Sequence, residues 1–266
     1  MARDKIAAAA EAIAAARREG RHLGPLPEPI RPADLDEAYR VQDRVHALLT
    51  EAGWGAVVGH KIGATTRSMQ RYLKVGHPCA GGVFAATMRE PGASVPHARF
   101  RRVGVECEVA VRLGRDLRPE DAPFGRAALE RAADSYMATI ELVDDRYLGW
   151  TTLGTPTLVA DDFFGAGNVL GAPVRPERAP DLAAAKGRVL VNGAEAATGS
   201  GADVMGHPLE ALAWLADLCA KRGVTLRAGE FVSTGSMVKP LWLAPGDRVA
   251  IEVEGLGRVA LDFAAS

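Results

Sequence analysis

Three glutamates and one lysine are the residues of this chain whose surroundings call for chemistry. Glu106 and Glu108 stand in Val103-Gly104-Val105-Glu106-Cys107-Glu108-Val109-Ala110-Val111-Arg112-Leu113, where every odd position is apolar. Alternation at period two predicts a strand with one face in a core and the other toward something polar. Glu106 and Glu108 then share a face, with Cα atoms about 6.6 Å apart at roughly 3.3 Å per residue. Carboxylates this close repel unless a cation or a shared proton lies between them. A hard divalent ion meets that need, because Mg²⁺ takes carboxylate oxygens and keeps waters that a substrate can displace. The same alternation also describes an ordinary half-exposed strand, so a third carboxylate elsewhere has to decide between the two.

Glu141 is the candidate for that third carboxylate. It is the sole charge in Tyr136–Val143, and shares a strand face with Thr139 and Val143. A charge in such a run is paired or metal-bound if it is buried. The other reading is a Glu–Arg ion pair with Arg112 or Arg146, and residue chemistry alone leaves both open. Lys61 poses a similar question between Val58 and Ile62. An ammonium beside a divalent cation has its pKa pushed down and exchanges protons near neutrality, whereas a lone lysine at a strand end is commonly just solvated.

The elements that must position these residues are mostly short strands. From about Ala56 the chain reads as β-rich runs punctuated by glycine and proline. Val57–Gly63 is a strand leading into a loop, Gly125–Ala133 is helical, and Met137–Val143 returns to strand. Val189–Val191 ends in an Asn192-Gly193 hairpin turn. Pro208–Arg222 is a helix with proline in its first turn and Gly223 beyond its end. The tail is strand, Pro245-Gly246-Asp247 turn, strand, Gly255-Leu256-Gly257 turn, strand. Upstream, residues 3–19 form a helix stopping at Gly20, and a second helix starts at an Asp34-x-x-Glu37 capping pattern and stops near Gly53. These two make an N-terminal helical arm, residues 1–55, ahead of a β-rich catalytic domain, residues 56–266. The class is α+β, on a rolled or sandwiched sheet.

Composition narrows the partners. The formal net charge of −1 gives no electrostatic case for nucleic acid or an anionic membrane. No segment approaches the roughly 20 apolar residues of a membrane-spanning helix. The alanine-rich start is broken by Asp4, Lys5, Glu11, Arg17 and Arg18, unlike a signal peptide. Cys79, Cys107 and Cys219 are widely spaced and without a CxxC, which suits a reducing, cytoplasmic setting. There is no glycine-rich dinucleotide loop or P-loop, and the six histidines show no HExxH spacing.

The ordered series of short matches resembles the 2-keto-4-pentenoate hydratase family of the fumarylacetoacetate hydrolase superfamily. It begins with Lys61-Ile62-Gly63-Ala64-Thr65-Thr66, Met69-Gln70 and Val75-Gly76-His77-Pro78. It continues through Val105–Ala110, Ile140–Arg146 and Val159–Asp162, then Gly199-Ser200-Gly201, Gly206–Leu209, Gly229–Ser236 and Pro245-Gly246-Asp247. The resemblance implies a mixed β-sandwich roll of the fumarylacetoacetate hydrolase C-terminal type. It also implies a Mg²⁺ (or Mn²⁺) site with Glu106, Glu108 and Glu141 as ligands, a catalytic Lys61, and Gln70, Thr234 and Ser236 beside the substrate. The implied reaction adds water to a 2-hydroxy-2,4-dienoate, the tautomer of a 2-oxo-enoate, to give a 4-hydroxy-2-oxo acid in aromatic meta-cleavage catabolism. The alternatives on the same metal are decarboxylation of a 2-oxo-3-enedioate and C–C hydrolysis of an acylpyruvate. The resemblance further implies a homo-oligomer.

Three positions depart from the family pattern. Cys79 stands where the hydratases usually carry an acidic residue, and Asp144-Asp145-Arg146 and Ala160-Asp161-Asp162 each have an extra carboxylate. The extra carboxylates are expected to alter substrate charge preference. Gly199-Ser200-Gly201 and Thr234-Gly235-Ser236 are expected to be backbone turns that approach a ligand closely.

Overall fold

The computed structural model describes residues 2–265, with side chains from residue 5 onward. Two helices open the chain, α1 (Ala2–Arg18) and α2 (Leu35–Leu49), the second capped by the Asp34 carboxylate accepting from Glu37 N. Glu37 itself accepts from Ala33 N and Lys5 rather than from Asp34 N, so only half of the expected box forms. A further π-helical turn, Thr50–Trp54, is broken at Gly53, with φ 89°. There follow β1 (Val57–Gly63), α3 (Arg67–Leu73), β2 (Cys79–Phe84), β3 (Met88–Arg89), β4 (Ser94–Pro96) and β5 (Val103–Leu113). Next come α4 (Arg126–Ala132), β6 (Ala133–Asp144), α5 (Thr155–Ala160), β7 (Gly165–Leu170), β8 (Lys186–Val191) and β9 (Ala194–Ser200). The chain closes with α6 (Pro208–Lys221), β10 (Phe231–Ser236), β11 (Leu241–Trp242), β12 (Arg248–Val253) and β13 (Gly257–Ala264).

The strands form two mixed sheets. One runs β2-β1-β10-β5-β6-β7-β3 with β11 also on β5, and the other runs β4-β13-β12-β8-β9. β1 with β10, β13 with β4 and β3 with β7 are parallel, and the remaining pairs are antiparallel. The second sheet lies against β5 and β6. Between them sits the main core, in which the odd residues of β5, Val103 to Val111, pack with Val249, Ile251, Val259 and Leu261. The alternation seen in sequence is therefore the division between this core and the other face. On that other face a small apolar cluster of Val83, Ala110, Met137 and Phe231 continues the line of Glu106 and Glu108.

The arm is built into the molecule. Ile13, Val45 and Leu49 are fully buried in the same core, and α2 packs on α5. Asn192 and Gly193, with φ 54° and 85°, make the expected hairpin turn between β8 and β9. Hydrophobic periodicity does not show α3, α5 or the short strands β3, β4 and β11, each too brief to have a period. No helix among the described residues is long and apolar enough to cross a membrane.

Candidate active site

The long antiparallel pair β5–β6 builds the site. Its register sets Glu106 directly opposite Glu141 and Glu108 opposite Thr139, so all three carboxylates leave the same face. Each offers one oxygen within 4.8 Å of the others'. Oxygens ligating one ion at about 2.1–2.5 Å span at most roughly 4–5 Å across it, so the spacing fits a single hard divalent cation. Glu108 and Glu141 are essentially fully buried and Glu106 is half-buried.

Electrostatics supports the same fit. Glu108 Oε1 and Glu141 Oε2 are buried without a hydrogen-bond partner, and Glu141 Oε1 has only the Lys61 ammonium beside it. Native proteins do not leave such acceptors bare without cause. Burial and then the Glu141 charge push the Glu106 carboxyl up to about 7, against the Lys61 ammonium, which pulls it down. Burial followed by the Glu141 and Glu106 charges push Glu108 well above the usual carboxylate range. The face resists carrying three negative charges by itself, and a cation could hold them together there.

Glu108 is aimed by its neighbours. Its Oε2 accepts from Ser233 Oγ at 2.6 Å and from Gly235 N at 3.0 Å, leaving Oε1 free for an ion. Ser233 in turn accepts from Asn168 Nδ2 at 3.1 Å. Gly235, at φ 113°, makes the bulge that delivers its N–H, and a Cβ there would fall 2.4 Å from the Thr65 side chain. The sequence motif contains Ser233 without giving it a task, and nothing in the sequence points to Asn168. Only the pairing of β10 with β5 and of β7 with β6 reveals them.

Lys61 is 2% exposed, not a solvated lysine at a strand end. Its Nζ lies 2.9 Å from Glu141 Oε1 and donates to Phe163 O at 3.0 Å. Burial alone would lower its pKa, but the charges of Glu141, Glu106 and Glu108 outweigh that and raise it. Neither expected arginine partners Glu141: Arg146 pairs with Asp161 at 2.7 Å, and Arg112 donates to Gly229 O.

The other expected residues are spread more widely. Ser236 is opposite Glu108 in the register and accepts from Val238 N. Thr234 is fully buried and spends its hydroxyl on Val109 O at 2.8 Å. Gln70, on α3, donates to Ala64 O at 3.0 Å. Cys79, at the start of β2 opposite Gly63, is fully buried, and burial pushes its thiol up to about 12. A cavity of about 810 Å³ lined by Tyr72, His77, Trp150 and Thr155 lies beside α3, and one of about 900 Å³ lies on the second sheet; neither touches the carboxylates.

The extra carboxylates have partners within the chain: Asp162 is buried in ion pairs with Arg17 and His46, beside Asp161, which pairs with Arg146, and Asp145 lies 3.6 Å from Arg102. Gly199 and Gly201 are held between backbones, and Gly199 also lines the cavity on the second sheet. A Cβ on them would fall 2.1 Å from Met237 O and 1.8 Å from Leu182 O, so both are needed for contact between backbones.

Comparison with known proteins shows what the chain is similar to. A family model described as fumarylacetoacetate (FAA) hydrolase C-terminal matches residues 43–263. The chain is 37% identical to 2-keto-4-pentenoate hydratase 1 of Dechloromonas aromatica, with 97% of this chain and 96% of that one aligned. It is 33% identical to 2-hydroxyhexa-2,4-dienoate hydratase of Comamonas testosteroni, over 93% of each. Among solved structures, 4-oxalocrotonate decarboxylase from Pseudomonas putida G7, complexed with magnesium and adipate, superposes with a TM-score of 0.87 at 27% identity over 98% of each chain.

Proposed function

The chain belongs to the fumarylacetoacetate hydrolase C-terminal family, and we propose that it is a metal-dependent hydratase of aromatic meta-cleavage catabolism. It adds water to a 2-hydroxy-2,4-dienoate to give a 4-hydroxy-2-oxo acid. The observation that carries this reading is the β5–β6 register that converges Glu106, Glu108 and Glu141 beside a buried Lys61.

Glu106, Glu108 and Glu141 would hold Mg²⁺ or Mn²⁺, oxygen-loving ions suited to an all-carboxylate set. When bound, the ion supplies Lewis-acid and electrostatic stabilisation of charge developing on the substrate's 2-oxygen. Lys61 holds a proton at Nζ, between Glu141 Oε1 and Phe163 O, and relays it to or from the carbon skeleton. Ser233 and Gly235 N fix the Glu108 carboxylate so that its free oxygen keeps one direction. Ala110, Met137 and Phe231 line the neighbouring surface and limit water on that side. Water adds across the terminal double bond, hydroxyl to C4 and hydrogen to C5, and the enol ketonises at C2. Gln70, Thr234 and Ser236 belong to this reading as the substrate's neighbours. Gln70 sits on α3, and the other two flank the bulge at Gly235.

A 2-oxo-3-enedioate decarboxylase is the second reading, supported by the likeness to the magnesium-bound decarboxylase. The hydratase reading is preferred because the hydratases are nearer in sequence, 37% against 27%. C–C hydrolysis has less support. His60 pairs with Glu230 at 3.4 Å, but as the residue next to Lys61 in β1 it points to the opposite face. Three free, buried thiols support a cytoplasmic setting. The test is loss of 2-hydroxypenta-2,4-dienoate absorbance that stops with chelator and returns with Mg²⁺ or Mn²⁺.

A further inference from the structure

Asp162, Phe163 and Phe164 are three consecutive residues in the left-handed region, with φ of 56°, 45° and 68°. None is glycine, and L-residues there carry strain that surrounding contacts must offset. The contacts come largely from far away in sequence. Arg17 of α1 reaches Asp162 Oδ2 at 2.5 Å, and His46 Nε2 of α2 lies 2.7 Å from Oδ1, which also accepts from Gly82 N at 2.8 Å. Arg17 also lies 3.7 Å from Asp161 and over the rings of Trp54 and Phe84 at 5.0 and 5.6 Å. From the other side Arg146 donates to Asp161 O and Gly165 O at 2.6 and 3.0 Å. The segment so held presents to the active site the Phe163 carbonyl that accepts from Lys61 Nζ. The Phe163 ring lies 5.4 Å from the same ammonium, and it packs so closely on Gly63 that a Cβ there would fall 2.5 Å from it.

We infer that Arg17 and His46 are positioning residues for Lys61: the N-terminal arm clamps Asp162, which holds the strained turn whose Phe163 carbonyl fixes the lysine's Nζ. Without the clamp the turn relaxes, the carbonyl swings away, and Lys61 keeps only its pairing with Glu141. The metal-binding glutamates lie on β5 and β6 and take no part in the clamp, so the arm governs proton placement and leaves ion binding alone. The inference rests on the hydratase reading only in giving Lys61 the proton-transfer task.

The experiment uses the full chain with Arg17→Met. Its crystal structure is expected to show residues 162–164 relaxed and the Phe163 carbonyl beyond hydrogen-bond reach of Lys61 Nζ. Calorimetric Mn²⁺ titration is expected to give wild-type affinity. With dienoate, kcat per metal site should fall roughly 10- to 100-fold, the scale of a misplacement near 1 Å, while KM holds. Arg17→Lys should recover most of the activity, and Lys5→Met, which cuts the arm's Lys5–Glu37 pair, should leave kcat at wild type. If Arg17→Met does not accumulate folded, His46→Leu gives the same readings. An unmoved turn with wild-type kcat, and only a lower melting temperature, overturns the inference. If the wild-type chain does not hydrate the dienoate, the hydratase reading fails instead, and the crystal structure still decides the clamp.

Discussion

Glu106 and Glu141 face each other directly across β5 and β6, a cross-strand pair of like charges in the interior of a sheet. Such a pair is destabilising by itself. Glu108 on the same face adds to the repulsion, and Lys61 relieves only one oxygen of Glu141. The arrangement makes sense as a cage for a divalent cation, and the consequences can be measured.

Glu106→Gln should lose divalent affinity by more than the roughly 10- to 100-fold typical of residues that merely support a ligand. In chelator its melting temperature should not fall below that of wild type, because one member of a repelling set has gone. Wild type at 100 times the ion's Kd should gain about 2.7 kcal/mol of stability, and the variant none at that concentration. Titration calorimetry and thermal unfolding with and without Mg²⁺ read both effects.

Ser233→Ala removes the 2.6 Å donor to Glu108 Oε2 and leaves Gly235 N in place. Ion affinity should drop by roughly 10- to 100-fold with the fold intact. An unchanged affinity would show that Gly235 N suffices to aim the carboxylate.

Acid should weaken the molecule through Asp162. Burial alone would raise its pKa, but His46, Arg17 and Gly82 N together hold it well below the usual range. A depressed carboxyl contributes stability in full above its unfolded value of about 3.9, and that contribution drains away as pH falls toward the folded pKa. The gap in melting temperature between wild type and Asp162→Asn should therefore be widest near neutrality and narrow below about pH 4. A gap constant with pH would refute the ionic account of this network.

Cys79 should be a bystander. Its thiol is fully buried and pushed up to about 12, so it offers no base near neutral pH. Cys79→Ala should keep wild-type kcat, and iodoacetamide should label the native protein at Cys79 only after denaturation. A marked fall in kcat would restore this position to the chemistry.

Much of the site was legible in the sequence because a strand's period of two fixes which side chains share a face. That rule put Glu106 and Glu108 together, and Glu141 and Lys61 stood out as charges in apolar runs. What could not be read is register. That Glu106 meets Glu141, that Ser233 reaches Glu108, and that Asn168 supports Ser233 depend on pairing between strands far apart in the chain. The pairing of Asp161 and Asp162 was hidden for the same reason. Their partner Arg17 is 145 residues away from Asp162, and only the docking of the arm shows that these carboxylates are consumed inside the protein. Gly199 and Gly201 likewise carry a requirement set by the loops packed on them.

The central claim is hydration at the three-glutamate site, and proton NMR of the Mg²⁺-loaded protein tests it most directly. The two substrates are 2-hydroxypenta-2,4-dienoate and a 2-oxo-hexenedioate. The account predicts signals of a 4-hydroxy-2-oxo acid growing from the dienoate, absent in Glu106→Gln. An untouched dienoate, with CO₂ released from the diacid, would contradict it and make the chain a decarboxylase.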